Sequence, residues 1–144
     1  MATSSPHIVV SDEMPFEIQS MVFEEDTYLV LSAGNHIREI RAPLEALQRE
    51  VQAQQPLTLG ELAIRGSRVF AIVHDFDIQP SFSESAVQRA LNELSQHIEH
   101  LDIRAIGMQA LGSHHGGLSP SDAIALIESQ RWPVCLERLW VSIA

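Results

Sequence analysis

Lysine is absent from the 144 residues: all nine basic side chains are arginine, against 19 carboxylates, for a formal net charge of −10. The absence excludes the phosphate loop that needs an invariant lysine, and it excludes lysine Schiff-base chemistry. The acidic balance excludes a broad basic surface for the nucleic acid backbone, so no nucleic acid partner is expected. Cysteine occurs once, at Cys135, which rules out an internal disulfide and a cysteine-based zinc knuckle. No apolar run approaches the roughly 18 residues of a membrane span. The opening MATSSPHIVV lacks the basic region and apolar stretch of a secretory signal. A cytoplasmic location and no membrane partner are the expectation. Aromatic residues are few, at 6%, and Trp132 and Trp140 read as core or interface anchors rather than a base-stacking platform. What remains is a globular composition, 45% apolar and 19% charged. The length suits one domain, residues 1–144, able to bury about two-thirds of its unfolded surface without staples.

Local patterns outline alternating strands and helices. Residues 1–7 are polar and expected to be frayed. Pro15 to Val22 alternates, with Phe16, Ile18 and Val22 on one face, as a half-exposed strand does. The run Glu24-Glu25-Asp26 reads as a solvated turn, and Thr27–Ser32 as a buried strand. Leu44, Leu47 and Val51 follow at helical spacing behind Pro43, predicting a helix from Pro43 to about Gln54. Leu59–Arg65 and Arg68–His74 flank Gly66-Ser67 as a hairpin. Ser81 and Glu84 have capping-box spacing ahead of Val87, Ala90, Leu91, Leu94, Ile98 and Leu101, one face of a long helix. A strand is predicted over Ile103–Met108, and a glycine–histidine loop over Gly112–Leu118. Ser119-Pro120-Ser121-Asp122 carries the residues of a helix start: cap, first-turn proline and acid. Trp132-Pro133 ends that helix, and Leu136–Ile143 closes the chain as a strand. The predicted class is α/β: a three-layer α/β/α sandwich around a mixed central sheet.

In such sheets ligands sit outside the carboxyl ends of the strands. Three predicted strand ends meet that edge: Ser32–Asn35, His74–Asp77 and Gly112–Leu118. The last suits an anion cradle, since glycines let N–H groups converge and a helix N-terminus follows. The same glycines equally suit a tight strand–helix turn that binds nothing. Asp122 in the first helical turn and the acidic surface oppose tight phosphate binding. His74, Asp75, Asp77, His114 and His115 could together hold a metal ion and activate water. Neighbouring strand-end residues point opposite ways, however, and the set has no specific metal spacing. Cys135 reads as a small packed hydrophobe, and His97 and His100 as residues of the polar side of the long helix.

The order of motifs resembles the macro domain, the ADP-ribose-binding α/β/α module. Leu31-Ser32-Ala33-Gly34-Asn35 is similar to the family's strand ending in Val-Asn-Ala-Ala-Asn, keeping the alanine and the last asparagine. Gly60–Ile64 and Val69–His74 resemble its next two strands, and Ile103–Gly112 its strand running into a glycine loop and capped helix. The resemblance spans roughly Thr27 to the C-terminus. Two family features are missing. The Gly-Asp-Ile segment whose aspartate reads adenine is not recognisable, and His36–Leu44 replaces the first glycine-rich loop without a single glycine.

The resemblance implies a divergent module that binds an ADP-ribose-like or other nucleotide ligand without efficient catalysis. Residual activity, if present, would be hydrolysis of ADP-ribose-type substrates. Asn35 would then contact a ribose hydroxyl, and the N–H groups of Gly112, Ser113, Gly116 and Gly117 would hold phosphate. His114 or His115 would face the ligand, with Ser32 and His74 completing the edge. No cofactor is called for. Two alternatives stand beside it: a degenerate protein-interaction or regulatory module, whose acidic surface would suit a basic partner, and a metal-dependent hydrolase built on the histidine–aspartate cluster.

Overall fold

The computed structural model describes residues 5–29, 31, 57–77, 81–113 and 117–143. Within them, six strands form one mixed sheet: β1 (His7–Ser11), β2 (Ser20–Asp26), β3 (Leu62–Arg65), β4 (Arg68–His74), β5 (Ala105–Gln109) and β6 (Arg138–Ser142). Their order across the sheet is β1-β6-β5-β2-β4-β3. Every pairing is parallel except β3 with β4, the hairpin closed by Gly66-Ser67 with Gly66 at φ +64°. A positive φ at the first turn position matches the twist of a two-residue hairpin, which is why glycine stands there.

Two helices, α1 (Glu84–Leu101) and α2 (Pro120–Ser129), carry the crossovers β4-α1-β5 and β5-α2-β6. Ser83 caps α1, its hydroxyl accepting from the Ala86 N–H, so the cap lies two residues beyond the expected Ser81. Ser119 caps α2 as predicted, accepting from the Asp122 N–H, with Pro120 in the first turn. Val87, Ala90, Leu91, Leu94 and Ile98 of α1 are buried, and they share one core with Ala123 and Ile127 of α2. The sheet contributes Val22, Val69, Ala71, Val73, Ile106, Met108, Leu139 and Val141 to it. Leu101, expected on this face, is exposed, because the helix ends there and Asp102 turns left-handed at the C-cap. Ala63, Phe70 and Ile72 face the other way and pack with Leu29, Phe23, Leu57 and Leu59. Trp132 and Trp140 are both buried, as anchors should be.

The first 31 residues depart most from expectation. His7, placed in a frayed tail, opens β1, which pairs along its whole length with β6. The half-exposed strand over Pro15–Val22 starts only at Ser20 and runs on through Glu24-Glu25-Asp26. Those three acids are buried in the sheet, not in a solvated turn. Thr27 and Tyr28 then lie in a turn instead of the predicted strand, with Leu29 at φ +60°. The helix predicted from Pro43 to Gln54 lies outside the described residues.

Candidate functional site

Because β2, β4 and β5 are parallel, their carboxyl ends lie at one edge of the sheet. Asp26, His74 and the turn after Gln109 lie there, and Glu24 of β2 ties His74 to that turn. One of its carboxylate oxygens bonds His74 Nε2, and the other accepts from the Gly112 N–H at 2.8 Å. Gln109 Oε1 accepts from the Glu24 N–H at 2.7 Å, which pins the strand to β5. Glu24 is 3% exposed and His74 2%. Carboxylates are buried this deeply only when paired and hydrogen-bonded, and these contacts supply that pairing.

Asp26 organises the next turn, accepting from the Tyr28 N–H at 2.7 Å and the Leu31 N–H at 2.8 Å. Glu25 accepts from the Asp26 N–H at 3.1 Å. The Tyr28 hydroxyl donates to Asp77 at 2.6 Å and so joins the turn after β2 to the turn after β4. That hydrogen bond, with some desolvation and the charges of Asp77 and Asp75, raises the Tyr28 phenol above its ordinary pKa. The His74 ring stacks on Phe76 at 6.0 Å and leans on Phe82 at 5.7 Å.

Phe82 explains the glycines. Gly112 (φ +91°) and Gly117 (φ +116°) both lie against its ring, and a Cβ on Gly112 would stand 2.7 Å from Phe82 Cε1. The Leu118 N–H closes the loop on the Gly112 carbonyl at 2.8 Å, and the Ser113 N–H bonds Ala110 at 3.0 Å. Three loop N–H groups, those of Gly112, Ser113 and Leu118, are therefore engaged inside the protein.

Of the sequence-expected site residues, His74, Gly112, Ser113 and Gly117 are described, and His74 and Gly112 meet through Glu24. Ser32, Asn35, His114, His115 and Gly116 lie outside the described residues. The buried strand preceding them ends at Asp26, so the residues at that strand end are Glu24, Glu25 and Asp26. Leu31, which opens the motif matched to a strand end, lies in the turn after β2. Local sequence could not reveal Glu24, because its partners His74 and Gly112 are 50 and 88 residues away. Among the described residues no group of three His, Cys, Asp or Glu side chains is arranged to hold a metal ion. A cleft of about 740 Å³ lies elsewhere, between β3 and α1, lined among others by Ile64, Arg89, Glu93, His97 and His100. Burial, and then the neighbouring His100, lower the pKa of His97 there. That cleft contains none of the strand ends where parallel sheets hold ligands.

No family model and no curated protein matches the sequence. Among the described residues no helix is long and apolar enough to cross a membrane. Solved structures do match. The macrodomain of Thermus aquaticus DarG gives a TM-score of 0.65 at 16% identity, covering 97% of this chain and 100% of that one. The macrodomain of Mycobacterium tuberculosis DarG gives 0.67 at 12% identity, again covering 97% and 100%. A mutant macrodomain from Oceanobacillus iheyensis, described with ADPR, gives 0.61 at 14%, covering 95% of this chain and 84% of that one. At these identities the likeness speaks for the fold, and it agrees with the mixed six-stranded sheet and its two crossover helices: the chain has the macrodomain fold.

Proposed function

We propose that this chain is a single, cytoplasmic domain that binds a nucleotide ligand of the ADP-ribose type at the carboxyl edge of its sheet, without efficient catalysis. The observation that carries the reading is the meeting of the β2, β4 and β5 ends with the Gly112 loop and the α2 N-terminus in a macrodomain fold. A similar structure described with ADPR makes ADP-ribose the first ligand to try. Asn35 and Ser32 are proposed for the ribose side, and His114, His115, Gly116 and Gly117 for the loop side. In support of weak catalysis, Glu24, Asp26 and Asp77 at this edge accept internal hydrogen bonds.

Thermal shift and calorimetric titration with ADP-ribose, ADP and AMP test this. A ligand at 100 times its Kd stabilises the fold by about 2.7 kcal/mol, a readily measured rise in Tm. No shift with any of the three at millimolar concentration removes the ligand reading. One observation favours a second reading, a protein-interaction module: Glu24 already occupies the first N–H of the glycine loop. Under that reading the chain shows no nucleotide-dependent shift at all.

A further inference from the structure

We propose that β3 is a self-complementary docking edge, to which a second copy of this chain adds its own β3 antiparallel, joining two sheets into one. β3 ends the strand order, and among the described residues no strand lies on its outer side. The hairpin decides which of its backbone groups face outward. The two-residue turn Gly66-Ser67 makes Arg65 and Arg68 a hydrogen-bonded pair, and bonded and non-bonded pairs alternate from there. Ala63 therefore exchanges hydrogen bonds with Phe70, while the N–H and C=O groups of Leu62 and Ile64 point away from β4. The Ile64 carbonyl accepts from the Arg65 guanidinium at 3.2 Å, where a strand partner would otherwise stand. An edge of this kind is a template for another strand. Ile64 is 44% exposed on it, beside the cleft against α1.

The run Glu61-Leu62-Ala63-Ile64-Arg65 is its own complement when read antiparallel. With a two-fold axis at Ala63, Leu62 of each copy stands opposite Ile64 of the other. These are the two residues whose backbone groups face outward, so the ladder closes in this register. Glu61 of each copy then stands opposite Arg65 of the other, with Cβ atoms roughly 5 Å apart, a favourable cross-strand pair. Within its own hairpin Arg65 faces Arg68, a like charge, which makes a carboxylate the better neighbour on its outer side. Leu62 and Ile64 lie on the face of the core that includes α1, so each exposed Ile64 gains apolar cover from Leu62 of the second copy. Moving the axis by one residue sets Arg65 or Glu61 opposite Ala63 and loses the charge pairs. Antiparallel joining sends the carboxyl edges of the two sheets in opposite directions, so association needs no ligand bound at either.

Sedimentation equilibrium of the full chain from about 10 μM to about 1 mM tests this, the range in which a small transient interface fills its dimer. The weight-average mass of wild type is expected to rise toward twice that of one chain. E61R and R65E each set like charges opposite one another, and each is expected to weaken association at least about fivefold. Mixed in equal amounts, the two variants are expected to associate again, because each finds the opposite charges on the other. Amide hydrogen exchange of wild type is expected to slow at Leu62 and Ile64 as concentration rises. A wild-type chain that stays monomeric at about 1 mM overturns the proposal. So does a dimer that both substitutions leave intact, or a mixture that associates no more tightly than either variant alone. Should a variant not fold, hydrogen exchange decides: a dimer that leaves Leu62 and Ile64 unprotected uses another surface and refutes this one.

Discussion

Gly117 is the position where the fold can be tested most sharply. Its φ of +116° lies in a region essentially reserved for glycine, and an added Cβ would stand 2.5 Å from Cδ2 and 2.8 Å from Cδ1 of Phe82. The ring has little room to retreat, since it packs against His74 on one side and Gly112 on the other. Gly117→Ala therefore carries two costs: about 1–3 kcal/mol for the backbone and about 1–3 kcal/mol for the overpacked ring, roughly 2–6 kcal/mol in all. Only the second depends on Phe82. In a double-mutant cycle with Phe82→Leu, the coupling should be at least about 1 kcal/mol in the direction that makes Gly117→Ala cheaper. Urea unfolding of the four proteins, compared by linear extrapolation, measures it. A cost below about 1 kcal/mol for Gly117→Ala, or strict additivity with Phe82→Leu, would refute the claim that aromatic packing accounts for this glycine.

Leu94, 1% exposed in the α1 core, should cost about 2–5 kcal/mol when cut to alanine, and denaturant unfolding that shows a neutral effect would contradict the packing of α1 on the sheet. Tyr28 is the only tyrosine in the chain, so a spectrophotometric pH titration reads it directly. Its hydrogen bond to Asp77 favours the protonated phenol, so ionisation should come above about 10 and move down in Asp77→Asn; a wild-type midpoint at or below that value fails the prediction. Desolvation, followed by the nearby Asp102 charge, raises the Cys135 thiol pKa, so alkylation near pH 8 should run slower than for free cysteine, and a matching rate would sink the assignment.

Much of the second half of the chain could be read without coordinates. Helix α1 shows its buried stripe at 3.6-residue spacing, helix α2 announces itself through Ser119-Pro120, and the Gly66-Ser67 turn marks the β3–β4 hairpin. In each case the cause is local: periodicity, a capping hydroxyl or a required positive φ acts within a few residues. Even so, Ser83 rather than Ser81 caps α1, because Ser81 and Phe82 are drawn back along β4, with the Asp75 N–H bonded to the Ser81 carbonyl and Phe82 bridged to His74.

The first strands show where local reading stops. Glu24-Glu25-Asp26 carries three adjacent carboxylates, and such a run ordinarily belongs to water. Its burial depends on donors that the chain brings from far along its length: the Gly112 N–H and the His74 ring, with the Tyr28 and Leu31 N–H groups nearer by. The same holds for His7–Ser11, an unremarkable stretch that becomes a strand only because β6 offers a free parallel edge. Composition and periodicity by themselves determined the α/β class, the hairpin and the two described helices, because the forces behind them act between near neighbours. Tertiary structure alone decided that an acidic run would become the buried cluster at the strand ends, because a buried charge is stable only where distant donors converge on it.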